Sequence, residues 1–220
     1  MKLLFPLYKI PVFYILLIVI IQSIDSFFSI SFSQLGVKPL EIEGLVGILF
    51  APLIHGSWGH ALSNISTLVI LCGVLFYHFH SASRIIFWSS YFFPLIITWI
   101  IGRDSYHIGA SGVVYGLMAF LIFIGFFTKK RYILAISFAI LFFHSGFLWG
   151  IIPQESGISW ETHLGGFITG TALAFLFKKF PFYPYEFPKK EIYSPQSSTL
   201  DNTISYTYIT RKHSKSDNNV

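Results

Sequence analysis

Cysteine is almost missing from this chain: Cys72 stands alone among 220 residues. An internal disulfide and any site built from several thiolates are therefore excluded, and Cys72, inside an apolar run, reads as a small packing residue. Charge is scarce too. Asp, Glu, Lys and Arg make up 11% of the residues, where soluble domains carry roughly 25%. With 54% hydrophobic and 19% aromatic residues, an ordinary water-soluble globule is excluded. A mean hydropathy of +0.65 reflects long apolar blocks separated by short polar stretches, the pattern of a chain surrounded by lipid. The net charge of +5 does not suggest nucleic acid, because the basic residues sit at block edges and in a polar tail rather than on one amphipathic face.

The first block, 10–32, lies behind Lys2 and Lys9 as a signal peptide would. No clean small-x-small cleavage site follows it and further apolar blocks do, so it reads as an uncleaved helix. The expected helices span 10–32, 60–79, 84–101, 110–127, 132–149 and 161–177, each near the ~20 residues that cross a bilayer. The expectation is an all-α membrane protein, a bundle of six transmembrane helices over 1–180, followed by a polar cytoplasmic tail over 181–220 with a disordered composition. Between the first two helices, 45–54 is too short to span and reads as an interfacial or partly inserted loop. Positive loops stay inside, so Lys9, Arg84, Lys129, Lys130, Arg131, Lys178 and Lys179 put both termini in the cytoplasm and leave Lys38 and Arg103 outside. The second, fourth and sixth helices then begin at the outer face. No internal repeat suggests an inverted-repeat transporter.

Polar side chains inside such spans are costly and mark function. At the outer start of the second helix stand His60 and Asn64; at that of the fourth, Ser111 in Gly109-Ala110-Ser111-Gly112; at that of the sixth, His163. Topology came from charge alone, yet it brings these residues to one depth. A serine and a histidine placed so can serve as nucleophile and general base. His60 and Asn64, four apart on one helical face, can donate to an oxyanion, and a helix N-terminus at Ser111 favours developing negative charge. Gly112 and Gly116, and Gly166 and Gly170, repeat the small-xxx-small spacing that lets membrane helices approach closely. Tyr115, one turn after Ser111, can stack on the histidine; no Asp or Glu stands at a matching position, which points to a dyad rather than a triad.

At these residues the chain resembles the rhomboid family of intramembrane serine proteases. The matching stretches run from His55 to Asn64 (HGSWGHALSN), from Gly109 to Gly116 (GASGVVYG), and over His163-Leu164-Gly165-Gly166 with Gly170. The resemblance implies Ser111 as nucleophile, His163 as base, and an oxyanion hole from His60, Asn64 and the Ser111 backbone N–H, with Tyr115 supporting His163. It implies a six-helix core with a water-filled site open to the outer side, hydrolysis of peptide bonds in or near other proteins' transmembrane segments, and residence in a bacterial inner membrane. Substrate entry is associated with the fifth helix and the loop after it, here 150–160. The Trp-Arg pair of many bacterial first loops is absent, and the expectation is a core without the cytosolic N-terminal domain of many relatives.

The implied partners are transmembrane protein substrates and the lipid bilayer, with no nucleic acid, no metal and no cofactor. His107 and His144 share no helical ligand spacing with another ligand. His55 precedes its helix, where it either bonds the loop or meets substrate. Two other classes remain: a catalytically silent relative that binds membrane helices, disfavoured by the intact Ser111 and His163, and a small transporter, which needs polar residues reaching the cytoplasmic side.

Overall fold

In lipid a helix apolar on every face needs no protein around it, so the share of it that protein covers tells how central it is to a bundle. Ser111–Thr128 is such a span, with 72% of its length buried against 22% for Tyr8–Phe28. Four of the other described helices pack against it. The computed structural model describes residues 5–182, except 144, 154–156 and 158. By contacts the chain divides into Met1–Glu186 and Phe187–Val220, the second unit lying outside the described residues together with most of the expected polar tail.

Among the described residues seven α-helices follow in order: α1 (Phe5–Phe28), α2 (Gly47–Phe50), α3 (Trp58–His78), α4 (Ser83–Ile101), α5 (Ser111–Thr128), α6 (Arg131–Phe143) and α7 (Trp160–Phe177). Among the described residues the only strand-like pairing is one antiparallel bridge, Val37 to His107. Four of the helices, α1, α3, α4 and α5, are long and apolar enough to cross a membrane. α7 has the length but is diluted at its start by Glu161, Thr162 and His163, and α6 is shorter.

Three boundaries differ from the sequence expectation by more than two residues, and the first is that α1 begins at Phe5 rather than at residue 10. The first helix stops at Phe28 rather than continuing to Phe32, because Ser29 turns left-handed (φ 52°) and the Ile30 N–H bonds the Asp25 carbonyl at 3.2 Å, closing the last turn. The fifth expected helix, 132–149, ends as an α-helix at Phe143 and gives way to a 3-10 stretch, Ser145–Ile151, in which Gly146 and Gly150 weaken α-helix formation. His144 lies outside the described residues. The segment read as an interfacial loop is a run of short helices over Glu43–Leu53, with Leu45, Val46 and Leu49 exposed and Ala51, Pro52 and Leu53 turned inward.

α1 is pinned by Tyr14, whose hydroxyl donates to the Pro52 carbonyl at 3.1 Å and whose ring meets Phe87 and Tyr91 of α4 edge-on at 5.6 Å. The tightest contact joins α5 and α7. A Cβ on Gly166 would stand 2.6 Å from the Gly112 carbonyl and 2.7 Å from Tyr115 Cβ, and one on Gly170 would collide with the Gly116 carbonyl. The glycines of α5 itself open elsewhere: Gly116 lies against Ser90 of α4, and Gly112 sits between Thr162 and Pro94. The small-residue spacing therefore brings three helices together rather than two.

These contacts separate two glycines by consequence. Gly170→Val lowers stability in detergent by about 2 kcal/mol or more, since overpacking here meets backbone, while Gly73→Ala, with nothing within 4 Å, is neutral or gains up to about 1 kcal/mol. Thermal melts of the two variants in one detergent check this; equal melting shifts contradict it.

Candidate active site

The site is built where α3, α5 and α7 begin. Ser57 caps α3, its hydroxyl accepting the His60 N–H at 3.2 Å, which places the side chains of the first two turns at the mouth of the bundle. Ser159 caps α7 in the same way through the Thr162 N–H at 3.4 Å. α5 begins at Ser111 itself. Its approach is bent by Gly109, whose φ of +112° only glycine adopts readily, and is held by the Gly109 N–H on the Ala51 carbonyl (2.9 Å) and the Ala110 N–H on His55 Nε2 (3.2 Å). The first intrahelical bond is Val114 N–H to Ala110 O (3.1 Å), so the amides of Ser111, Gly112 and Val113 precede it in the first turn.

These starts enclose a cavity of about 750 Å³ bordered by His60, Asn64, Ser111, Tyr115 and His163. That is the size of a small-molecule or peptide side-chain site. The four residues expected at one depth thus reach one cavity. His60 lies over the loop before Ser111, since a Cβ on Gly109 would stand 2.9 Å from its Cε1 and 3.9 Å from Ser111 Oγ. Asn64 is 8% exposed and its Nδ2 has no partner among the described residues. An orphan buried donor costs roughly 1–3 kcal/mol, a cost offset when a ligand oxygen takes it up.

His163 is held on two sides. Its ring stacks on Tyr115 with centroids 4.1 Å apart and planes 6° from parallel. Its Nδ1 lies 2.9 Å from the Gly150 carbonyl. A carbonyl only accepts, so Nδ1 carries the hydrogen and Nε2 is left with its lone pair. No hydrogen bond joins Ser111 to His163 among the described residues; both side chains border the cavity, and resting sites commonly hold such pairs apart until substrate binds.

The residues singled out from sequence fall into two groups. His60, Asn64, Ser111, Tyr115 and His163 meet at the cavity, and Gly109, Gly112, Gly166 and Gly170 shape the backbone around it. His55 is buried (2% exposed) and binds the loop at Ala110. Its ring meets His60 edge-on at 4.9 Å. Sequence reasoning missed Gly150, whose carbonyl orients His163: any residue offers a carbonyl, and the only hint is that a Cβ there would strike the Tyr115 hydroxyl. It also passed over Glu161, fully buried beside the site, although a carboxylate at the start of an apolar span is itself a signal. Glu161 accepts from the Arg103 N–H at 3.2 Å rather than from His163. No group of three or more His, Cys, Asp or Glu able to hold a metal occurs among the described residues.

The family model of the Rhomboid domain matches residues 43–180. An uncharacterized protein of Mycobacterium tuberculosis and one of Mycobacterium bovis are each 33% identical over 174 residues, covering 74% of this chain and 72% of theirs. An uncharacterized protein of Mycobacterium leprae is 33% identical over 171 residues, covering 73% and 67%. The chain belongs to the rhomboid family, as its motifs implied, and is an integral membrane protein of a family known for intramembrane serine proteases.

Burial, and after it the neighbouring His60, push His55 from 6.5 down to about 4. The neutral ring accepts the Ala110 N–H, and protonation would remove that acceptor. Between pH 6.5 and 4 the unfolded chain binds the proton that the folded one refuses, so stability is full above pH 6.5 and falls as pH drops through that window. His107, lowered chiefly by burial, adds slope of the same sign. Melting temperature against pH is expected to be flatter for His55→Asn than for the parent; an unchanged slope contradicts this assignment.

Proposed function

We propose that this protein is an intramembrane serine endopeptidase that hydrolyses peptide bonds in or near the transmembrane segments of other membrane proteins. What carries the reading is one convergence: Ser111 at the start of α5, and His163 with its tautomer set by Gly150 and its plane set by Tyr115, border a single cavity with the unpartnered Asn64 amide. Six helices, α1 and α3 to α7, cross the bilayer with both termini cytoplasmic, and the site opens at the outer end. The pairing of Lys38 with Asp104 beside the Val37–His107 bridge supports this, because it gathers the two cations expected outside, Lys38 and Arg103, at the end that holds the cavity. A bacterial inner membrane is the matching location.

In the proposed reaction the Ser111 hydroxyl attacks the scissile carbonyl carbon while His163 Nε2 takes its proton. The oxyanion accepts from the His60 ring, Asn64 Nδ2 and the Ser111 N–H, donors already in place before charge develops. Collapse of the tetrahedral species expels the amine, which takes the proton from His163 and leaves an acyl ester on Ser111. Water, deprotonated by the same histidine, hydrolyses that ester and frees the second product. Tyr115 and the Gly150 carbonyl do for the ring what a carboxylate does in a triad: they fix its plane and its tautomer.

Purified protein and a single-pass transmembrane substrate in detergent test this by gel-based cleavage. Ser111→Ala and His163→Ala each lower turnover by about 10³-fold or more. Gly150→Val, which displaces Tyr115 and the carbonyl under His163, lowers it about a hundredfold with Ser111 intact. An inert parent, or an Ser111→Ala variant that still cleaves, overturns the reading and leaves a silent helix-binding relative.

A further inference from the structure

Ser111 and His163 stand on different helices, and the contacts of Gly166 and Gly170 that join α5 to α7 lie deeper in the bundle. At the top Gly112 meets Thr162, and a polar network between the loop before α5 and the start of α7 adds to that contact. The loop between α4 and α5 has two sides. Its backbone bonds the first loop: Val37 and His107 exchange N–H to carbonyl bonds of 2.9 and 2.8 Å, and the Gly109 N–H bonds Ala51. The side chains of Arg103 and His107 turn toward the start of α7, while Asp104 and Tyr106 meet Lys38 of the first loop.

His107 is 2% exposed, with Nδ1 2.6 Å from Ser159 Oγ and Nε2 3.1 Å from the Arg103 carbonyl. The carbonyl can only accept, so Nε2 carries the hydrogen, Nδ1 is an acceptor and the Ser159 hydroxyl donates to it. His107 precedes Ser111 by four residues and Ser159 precedes His163 by four, so this bond spans the gap between the two. A second link runs parallel. The Arg103 N–H donates to Glu161 Oε1 at 3.2 Å and its Nε stands 3.5 Å from the same oxygen. The other oxygen of Glu161, buried without a hydrogen-bond partner among the described residues, lies 4.0 Å from His107 Nδ1 and is not bonded to that acceptor. Ser159 also meets Thr162 Oγ1 at 2.6 Å, and Thr162 meets Thr98 of α4 at 3.1 Å, so the clamp is braced from a third helix.

We infer that His107 and Ser159, flanked by the Arg103–Glu161 pair, are positioning residues that clamp the nucleophile loop to the start of α7 and so set the separation of Ser111 from His163. The inference rests on the proposed protease reading. Removing the Nδ1 acceptor loosens the top of the bundle while the glycine packing beneath holds α5 and α7 together. The chain then stays folded and binds substrate, but reaches the reactive geometry less often.

The test uses the full chain in detergent, measuring kcat and KM on a transmembrane substrate and the rate at which a fluorophosphonate labels Ser111. His107→Ala and Ser159→Ala each lower kcat and the labelling rate by about ten- to a hundredfold, with KM within about threefold of the parent. The double variant is no slower than the slower single, because both remove one bond. His107→Asn, whose Oδ1 replaces the Nδ1 acceptor, and Ser159→Thr, which keeps the hydroxyl, recover most of the loss. Should His107→Ala melt before assay, the comparison of Ser159→Thr with Ser159→Ala decides in its place. Parental kcat in the alanine variants, a loss confined to KM, additive losses, or no rescue by the conservative variants overturns the clamp. If the parent itself does not label at Ser111, the protease reading falls and the clamp with it; if the parent labels and His107→Ala labels as fast, only the clamp falls.

Discussion

Backbone meets backbone between α5 and α7, and the remainder of the structure depends on that approach. In lipid there is no hydrophobic drive to pull two apolar helices together, so association relies on close van der Waals packing and interhelical hydrogen bonds. Gly166 and Gly170 supply the first, letting the carbonyls of Gly112 and Gly116 come where a side chain would otherwise stand. Ser111 begins one of these helices and His163 lies in the first turn of the other. Their meeting at one cavity follows from the packing beneath them.

That packing has to coexist with polar groups that a bilayer disfavours. The chain resolves the conflict by placing them at helix starts, where caps and first-turn amides already need partners. Ser57, Ser159 and Thr162 satisfy those ends, and His55 and His107 tie the intervening loops to them. Glu161, fully buried, is tolerated because Arg103 faces it. The unpartnered Asn64 amide borders the cavity, where a donor left unmade is available to a substrate oxygen.

Much of the site was legible because its residues are both expensive in lipid and tied to backbone geometry. Ser111, His163, His60 and Asn64 stood out as polar groups at one depth, and Gly166 and Gly170 as a spacing with a packing meaning. The helical class followed from apolar blocks of spanning length. Less legible was whatever depends on a main-chain atom or on a bond between distant loops. The Gly150 carbonyl under His163 has no side-chain signature, and the His107–Ser159 bond joins residues 52 apart. The end of α6 was misjudged for a related reason: the apolar run continues past Phe143, but Gly146 and Gly150 change the backbone from α to 3-10 without interrupting hydropathy. The spacing of Gly112 and Gly116 signals close approach but not to which helix, and Ser90 and Pro94 show that α4 shares them with α7.

The central claim is that helix packing in this bundle turns an otherwise unreactive serine into a nucleophile. Mass spectrometry of the intact protein after fluorophosphonate treatment, followed by peptide mapping, reads this directly. The account predicts a single adduct, on Ser111, formed in the parent and lost when His163 is replaced by alanine. An unmodified parent, an adduct on another serine, or equal labelling without the histidine would contradict it.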